Sequence, residues 1–320
     1  MLRLLADVAL HPALDKQCVT TAREDQLACL REELLSPVCV ARRELLSLCY
    51  GLSSYGLPSL GTLSSVGSLT SAKLRRMHNR LFCGNNAVLS LVGAVDTRRL
   101  LPVVRQVFSE MPCGEALSTR KSPSIRTRRK HCSTAEPTHQ AAYALAMPGL
   151  PLRHRWQPML TLLDEWCSDM SGPLYSELRE RSGLGYHVGS EIVQGVDSGC
   201  FSVQLETSPE LLRTARSALH STLEAMAKRN ITEEELERAR ATAISSCLLS
   251  LQSPSRRASS MALDLLLGLG VDYTERMSKA LSKVTLGEMQ SFVQYMLSSQ
   301  QPRCSVNVSS SCKGHKKAQG

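Results

Sequence analysis

The stretch from Ser171 to Ser190 reads SGPLYSELRERSGLGYHVGS and organises the second half of the chain. Its Leu-Gly turn separates a segment that reads as a helix from one that reads as a strand. The turn sets Arg179 and Tyr186 seven residues apart. On local grounds alone, Arg179 is a surface helix residue, because charged helix residues are mostly solvated. Tyr186 is then a strand residue packed beneath it.

Around this stretch, the second half of the chain predicts both strands and helices. Residues Gln194 to Gly199 have the composition of a hairpin turn between two strands. Ser208 to Glu210 predicts a helix start, and Thr232 with Glu235 forms a capping box for the next helix. The predicted strands are 140–147, 186–193, 200–205 and 304–308, and further predicted helices are 156–170, 257–268, 272–282 and 286–297.

The first half of the chain also predicts an α/β pattern. Thr21 to Tyr50 carries a leucine-rich helical stripe, which Pro37 breaks into two helices. Gly51 to Ser71 is rich in Gly, Ser and Pro and predicts an extended loop. The remaining predictions are a helix at 71–81, a strand at 87–92 and a helix from 97 to about 108.

A basic cluster without acidic residues lies between the two halves. Its members are Arg120, Lys121, Arg126, Arg128, Arg129 and Lys130. No aromatic residue interleaves these charges, which favours a solvated connector over a nucleic-acid site. We therefore predict a first domain over 1–110, a basic linker over 111–135, a second domain over 136–308 and a disordered tail over 309–320.

The composition is that of a soluble globular protein. The chain has 320 residues and 42% hydrophobic content, enough for an ample core. Its longest apolar run, Ala262 to Val271, contains Asp264 and is too short for a membrane span. The twelve cysteines include no C-x-x-C pair, so we expect mostly reduced, core-filling thiols. Reduced thiols and the lack of a secretory signal favour the cytoplasm or the mitochondrial matrix.

None of the eight histidines begins an H-x-x-E-H zinc motif. His187 and His220 each have a glutamate four residues later, Glu191 and Glu224. The predicted strand places the first pair too far apart for chelation. The second pair is typical of a solvated helix contact, so neither pair predicts a metal site.

Several strings together resemble the pitrilysin and insulinase family of metallopeptidases, which includes mitochondrial processing peptidase. LLADVALHPAL and the region YGLPSLGTLSSVGSLTSAKLRRMHNRLFCGNNAVLSLVGAVD resemble the later half of the family's first domain. QAAYALAMPGL, the stretch from Ser171 to Gly199 and NITEEELERARA resemble its second domain. The resemblance implies an α+β fold with two metallopeptidase-type α/β domains, each a sheet packed by helices. The first of these domains is expected to be incomplete.

The resemblance also implies roles for particular residues. The family's substrate-binding arginine and tyrosine match Arg179 and Tyr186, whose guanidinium and phenol can donate to a peptide carbonyl oxygen. The family's third zinc ligand and an earlier helix glutamate match Cys29 and Ala22. A shifted register would bring in Glu32 or Glu33 instead, but one ligand does not make a zinc site. We therefore expect no metal ligand, no catalytic residue and no cofactor in this chain, with zinc in a partner or in a longer form.

The leading hypothesis is a non-catalytic or pseudoenzyme homologue that binds a peptide or protein substrate beside a homologous zinc-bearing subunit, as a heterodimer. One alternative is a truncated form of an active zinc metallopeptidase. Another is a structural core subunit of a respiratory complex III-like assembly. We expect neither a nucleic-acid partner nor a membrane span.

Overall fold

The computed structural model describes residues 1–51, 54–117, 124–134 and 138–309. Within these ranges, five strands form one mixed sheet in the order β1-β5-β2-β4-β3. Only the pairing of β1 with β5 is parallel. The strands are β1 Arg128–Ser133, β2 Ala141–Pro148, β3 His187–Gln194, β4 Gly199–Thr207 and β5 Cys304–Ser309.

The helices fall into two groups, one before and one after strand β2 in the sequence. Those before β2 are α1 Leu2–Leu10, α2 Lys16–Leu35, α3 Pro37–Tyr50, α4 Leu63–Gly67, α5 Ser71–Leu81 and α6 Thr97–Val107. Those after it are α7 Gln157–Ser168, α8 Pro173–Tyr175, α9 Leu212–Arg229, α10 Glu233–Gln252, α11 Pro254–Leu266, α12 Tyr273–Leu281 and α13 Leu286–Leu297. None of the helices in the described ranges has the length and hydropathy needed to cross a bilayer.

The sheet lies in a compact unit formed by Leu30–Gly61, Lys121–Ile244 and Ala280–Gly320. Its central strand, β2, is buried on both faces because successive side chains point to opposite sides. Ala142, Ala144 and Ala146 share one core cluster with residues of α3. Their small side chains let the backbone of α3 approach the sheet closely, which a larger residue would prevent.

The opposite face of the same sheet is covered by α9, which packs on β2 and β4. Helix α13 packs against α9, and α7 packs along β3. Large apolar side chains of these helices are fully or nearly fully buried, among them Leu160, Leu163, Leu219, Leu223 and Phe292. The unit therefore has three layers, with the sheet between α3 and the group α7, α9 and α13.

A second compact unit is formed by Met1–Cys29, Thr62–Arg120 and Ser245–Lys279. Within it, Arg75 donates to the Ala13 carbonyl oxygen at 3.0 Å, and His78 lies 2.8 Å from the Ala9 carbonyl oxygen. The Thr70 hydroxyl caps α5, and the Asp96 carboxylate caps α6.

The α+β fold class is confirmed, and most predicted elements lie within a few residues of the observed ones. The break at Pro37 is confirmed, with the Ser36 hydroxyl accepting from Cys39 N as the cap of α3. The capping box of α10 is confirmed by hydrogen bonds in both directions between Thr232 and Glu235. The predicted extended loop after Gly51 does contain a 3₁₀ turn at Ser54–Gly56 and the short helix α4.

Three local predictions were wrong. Residues 87–92 form no strand, since no neighbouring strand among the described residues pairs with them. Helix α9 begins at Leu212, after a turn in which Leu211 N donates to the Ser208 carbonyl oxygen. Residues 128–133, predicted as linker, form strand β1, an exposed edge strand that lacks an apolar period.

The domain boundaries as such stay a prediction. Residues 118–123, 135 and the tail after Ser309 lie outside the described residues.

Candidate functional site

The stretch from Ser171 to Ser190 folds as a short helix, a wide turn and the start of an edge strand. Pro173 opens α8, where its fixed φ suits the first helical turn. Residues Ser176–Arg181 then form a π-helical turn, a rare geometry that occurs frequently at functional sites. This turn carries Arg179, with only Leu178 among its residues buried.

Two glycines close the turn. Gly183 has φ +59°, a left-handed conformation that other residues adopt only with strain. Leu184 N and Gly185 N both donate to the Leu178 carbonyl oxygen, at 2.8 and 2.9 Å. A side chain at Gly185 would collide with Val188 and Leu205. The turn therefore fixes the position at which the chain continues into Tyr186 and strand β3.

Arg179 and Tyr186 both lie exposed at the surface. The guanidinium of Arg179 stacks on the ring of Tyr175, 5.1 Å from its centroid, and has no acidic partner among the described residues. Tyr186 is 56% exposed, and its phenol has no hydrogen-bond partner there either. The packing of Tyr186 beneath Arg179 is therefore not observed, and the donors of both side chains face solvent.

Tyr175 was not singled out from the sequence, although it orients Arg179. The spacing could have indicated this contact, because Tyr175 and Arg179 are four residues apart and such residues share one face of an α-helix. Arg181 differs from Arg179, since its guanidinium is ion-paired with Glu177. The two arginines of this turn are therefore chemically distinct.

Strand β3 continues directly from Tyr186, whose N–H donates to the Glu206 carbonyl oxygen at 2.8 Å. Arg42 of α3 fixes β3 by two hydrogen bonds to the Glu191 carboxylate, at 2.7 and 2.5 Å. The outer side of β3 is paired with no strand in the described ranges. Ser190 N, however, donates to the Ser168 hydroxyl of α7. The available edge is thus the part of β3 nearest Tyr186.

The hairpin between β3 and β4 is confirmed and is fastened at its tip. The Tyr55 phenol donates to Asp197 at 3.0 Å and accepts from Val196 N at 2.9 Å. A side chain at Gly195 would overlap the Tyr55 ring. Burial raises the pKa of Tyr55, and so does its hydrogen bond to Asp197. The phenol therefore remains protonated and keeps its bond to Asp197.

A cavity of about 590 Å³ is lined in part by the π-helical turn. Glu177 and Arg181 line it from the turn, and Arg229 and Glu235 line it from α9 and α10. Burial acts to raise the pKa of Glu235, but hydrogen bonds from Thr232 and Arg229 hold it below its usual value. Neither Arg179 nor Tyr186 lines this cavity, so the candidate substrate contact is a surface site.

The position that matches the family's third zinc ligand holds Cys29, and the position of the earlier helix glutamate holds Ala22. Cys29 and Ala22 are exposed on α2. Glu191 is engaged by Arg42, and His220 by Tyr143 and Arg303. No three His, Cys, Asp or Glu side chains gather as metal ligands within the described part of the chain. These donors do not fit a zinc ion, which takes three or four protein ligands.

Comparison with known proteins gives a consistent assignment. The Peptidase M16 inactive domain matches residues 68–243, more than half of the chain. An uncharacterized zinc protease of Mycobacterium bovis is 26% identical over 307 residues, which are 93% of this chain and 70% of the relative. Homologues of this kind confirm the resemblance that the sequence suggested.

Solved structures show the same fold. A peptidase M16 inactive domain from Pseudomonas fluorescens has a TM-score of 0.85 at 21% identity, covering 97% of this chain and 74% of that one. A chain of Complex III2 from Candida albicans with Inz-5 bound has a TM-score of 0.79 at 15% identity, covering 96% and 76%. With the match over residues 68–243, the chain belongs to the peptidase M16 family and contains its inactive domain.

Proposed function

We propose that this chain is a non-catalytic subunit that binds an extended peptide through Arg179 and Tyr186 beside a homologous zinc-bearing partner. The observation that carries the proposal is the exposure of two unpartnered donors, one on the π-helical turn before the edge strand β3 and one where that strand begins. A structural arginine on this turn would be expected to pair as Arg181 does with Glu177. Arg179 instead stacks on Tyr175, which orients its planar guanidinium without using its N–H groups.

The chemistry of the pair suits a peptide carbonyl. The guanidinium of Arg179 and the phenol of Tyr186 can donate to one oxygen or to two successive ones along an extended backbone. Such donors stabilise the negative charge that develops on a carbonyl oxygen when water attacks it. The edge of β3 next to Tyr186 can receive the same peptide by main-chain hydrogen bonding. Zinc on the partner would supply the activated water.

Exposed leucines support a protein partner. Within the unit that contains α11, leucines of α10 and α11 are each more than half exposed or close to it, namely Leu248, Leu249, Leu263, Leu265 and Leu266. Soluble proteins rarely leave many large apolar side chains exposed together unless another surface covers them. The compartment predicted from the cysteines, cytoplasm or mitochondrial matrix, stays a prediction that cell fractionation would test.

The first experiment compares Arg179→Ala with Arg181→Ala in the complex purified through a tag on this chain. We expect Arg179→Ala to lower turnover of quenched-fluorescent casein about a hundredfold, the scale of losing one donor to a developing oxyanion. Tyr186→Phe should lower turnover less. Zinc content by mass spectrometry should stay unchanged in both. Arg181→Ala is the matched control, because it removes an exposed charge two residues away without touching the proposed contact.

The alternatives give different results. Equal turnover of the Arg179→Ala and Arg181→Ala complexes would rule out a role of Arg179 in substrate binding. Zinc and casein hydrolysis in the chain purified alone would instead indicate an active peptidase. Co-purification with cytochromes, together with indifference to Arg179→Ala, would indicate a structural subunit of an assembly, the setting in which the Candida albicans neighbour occurs.

A further inference from the structure

A second cavity, of about 460 Å³, lies between the sheet and α9. Tyr143 and Leu145 of β2 and Ser305 of β5 form its floor. Arg216 and His220 of α9 form one wall. None of these residues belongs to the stretch that carries Arg179 and Tyr186, so this cavity is independent of the proposed peptide contact.

Three arginines converge on the cavity from distant parts of the sequence. Arg129 comes from β1, Arg216 from α9 and Arg303 from the residue before β5. Strand alternation places Arg129 here, since its neighbour Lys130 pairs with Glu44 of α3 on the opposite face. Neither Arg129 nor Arg216 has a carboxylate partner among the described residues. Both residues are exposed, so water solvates these two guanidinium groups and a ligand can reach them.

Arg303 is held by hydrogen bonds, and one of its N–H donors has no acceptor in the described part of the protein. Its Nη2 donates to the carbonyl oxygens of Leu297 and Ser298, at 2.9 and 3.3 Å. Its Nη1 lies 3.3 Å from His220 Nδ1. Its Nε is buried without any partner in the described part of the protein. Buried donors without acceptors are uncommon in folded proteins and call for an explanation.

The hydrogen bonds of His220 define its tautomer. A guanidinium only donates, so His220 Nδ1 must accept from Arg303, which leaves the proton on Nε2. Nε2 then donates to the Tyr143 phenol at 2.8 Å. Burial lowers the pKa of His220, and the charges of Arg303, Arg216 and Arg129 lower it further. The imidazole is therefore neutral, and its role is to orient Arg303 and Tyr143.

The charges of the lining do not cancel. The lining contains three arginines and Glu224 as its acidic residue. With His220 neutral, the net charge of the lining is therefore two positive charges. Hydroxyl groups that can donate to an anion come from Thr127, Ser217, Ser299 and Ser305. Arginine forks and hydroxyl groups together are the donors that bind phosphate oxygens.

We propose that this cavity binds the phosphate group of a small phosphorylated molecule. A phosphate monoester carries close to two negative charges at neutral pH, which matches the net charge of the lining. The cavity of about 460 Å³ is larger than a phosphate group alone, so it has room for more of the molecule. A simple carboxylate, with one negative charge, would leave one arginine uncompensated.

Calorimetry on the full chain with inorganic phosphate tests the proposal, at fixed ionic strength and near neutral pH. We expect saturable binding of phosphate and at least about tenfold weaker binding of acetate. Arg216→Gln and Arg129→Gln should each weaken phosphate binding by about tenfold or more. Arg213→Gln is the matched control, since Arg213 is an exposed arginine on the same helix outside the cavity lining. Thermal melts should show that all three variants fold like the wild type.

Four results would overturn the proposal. The first is no saturable phosphate binding by the wild type, and the second is equal binding by the Arg216→Gln and Arg213→Gln variants. The third is acetate binding as tight as phosphate, which would indicate a carboxylate site. The fourth is tighter binding of a phosphoserine peptide than of the corresponding free phosphoserine, which would replace the small molecule by a protein ligand.

Discussion

His220 lies half-buried on α9, with its imidazole between the Tyr143 phenol and the Arg303 guanidinium. Spacing alone suggested a solvated pair with Glu224, because residues four apart face each other on a helix. The residues that decide its environment lie 77 and 83 positions away in the chain. Local spacing cannot report such long-range contacts, so the sequence interpretation missed both partners.

The lowered pKa of His220 predicts a pH dependence of stability. Below pH of about 6.5 the unfolded chain takes up a proton at this histidine, while the folded chain does so only at lower pH. The unfolded state then binds more protons, so stability must fall as the pH drops through this window. We expect His220→Gln to reduce that loss, because the glutamine amide can accept from Arg303 and donate to Tyr143 without titrating.

Urea midpoints at pH about 7.5 and about 5.5 test this prediction. The midpoint of the wild type should fall more between the two values than that of the His220→Gln variant. His139→Gln is the control, since His139 is exposed and does not line the cavity that contains His220. Equal pH dependence in the wild type and the His220→Gln variant would contradict the assignment of a neutral His220.

At the scale of elements, the contact between β2 and α3 depends on small side chains. Ala144 is fully buried between the strand and Val40, Ala41 and Leu45 of the helix. Ala144→Leu would force α3 away from the sheet, and we expect a loss of about 1–3 kcal/mol in the free energy of unfolding. Urea denaturation measures it. Ala241→Leu on the exposed face of α10 is the control and should change stability little, because leucine is also a good helix former.

Elements with a strong local signal could be predicted, and those defined by a neighbour could not. The helices α2 and α3 follow from a leucine period and a proline. Strand β1 exists because β5 pairs with it in parallel, although its own residues are mostly charged. Residues 87–92 show the converse, since they have strand-forming residues and no paired neighbour in the described ranges. Strand pairing depends on two segments. Neither the presence of β1 nor the lack of a strand at 87–92 can therefore be predicted from the sequence of one segment alone.

At the scale of the whole molecule, the same distinction separates the two candidate sites. Arg179 and Tyr186 lie within one short stretch, so a motif could point to them. Arg129, Arg216 and Arg303 come from three distant segments, and only the order β1-β5-β2 with α9 packed above it brings them to one cavity. The basic cluster did contain Arg129, but the face of a sheet that it occupies depends on strand pairing and could not be predicted from the cluster itself.

The cysteines offer a test of the molecule as a whole. Cys29 and Cys113 are exposed, whereas Cys49, Cys200 and Cys304 are buried in the core cluster between α3 and the sheet. Burial raises the pKa of Cys200 to about 12, which leaves almost no reactive thiolate at neutral pH. Because Cys49, Cys200 and Cys304 are buried, we expect iodoacetamide to label Cys29 and Cys113 in the native protein and to leave the three core thiols unlabelled.

Labelling across a urea series, read by peptide mass spectrometry, extends this prediction. Cys49, Cys200 and Cys304 share one core, so they should become reactive together over the same range of urea concentration. Labelling of Cys29 should stay constant over the series and serves as the internal control. Labelling of Cys304 in the native protein, or at lower urea than Cys49, would show that β5 separates from the sheet before α3 does. In that case the three-layer core would not unfold as one cooperative unit.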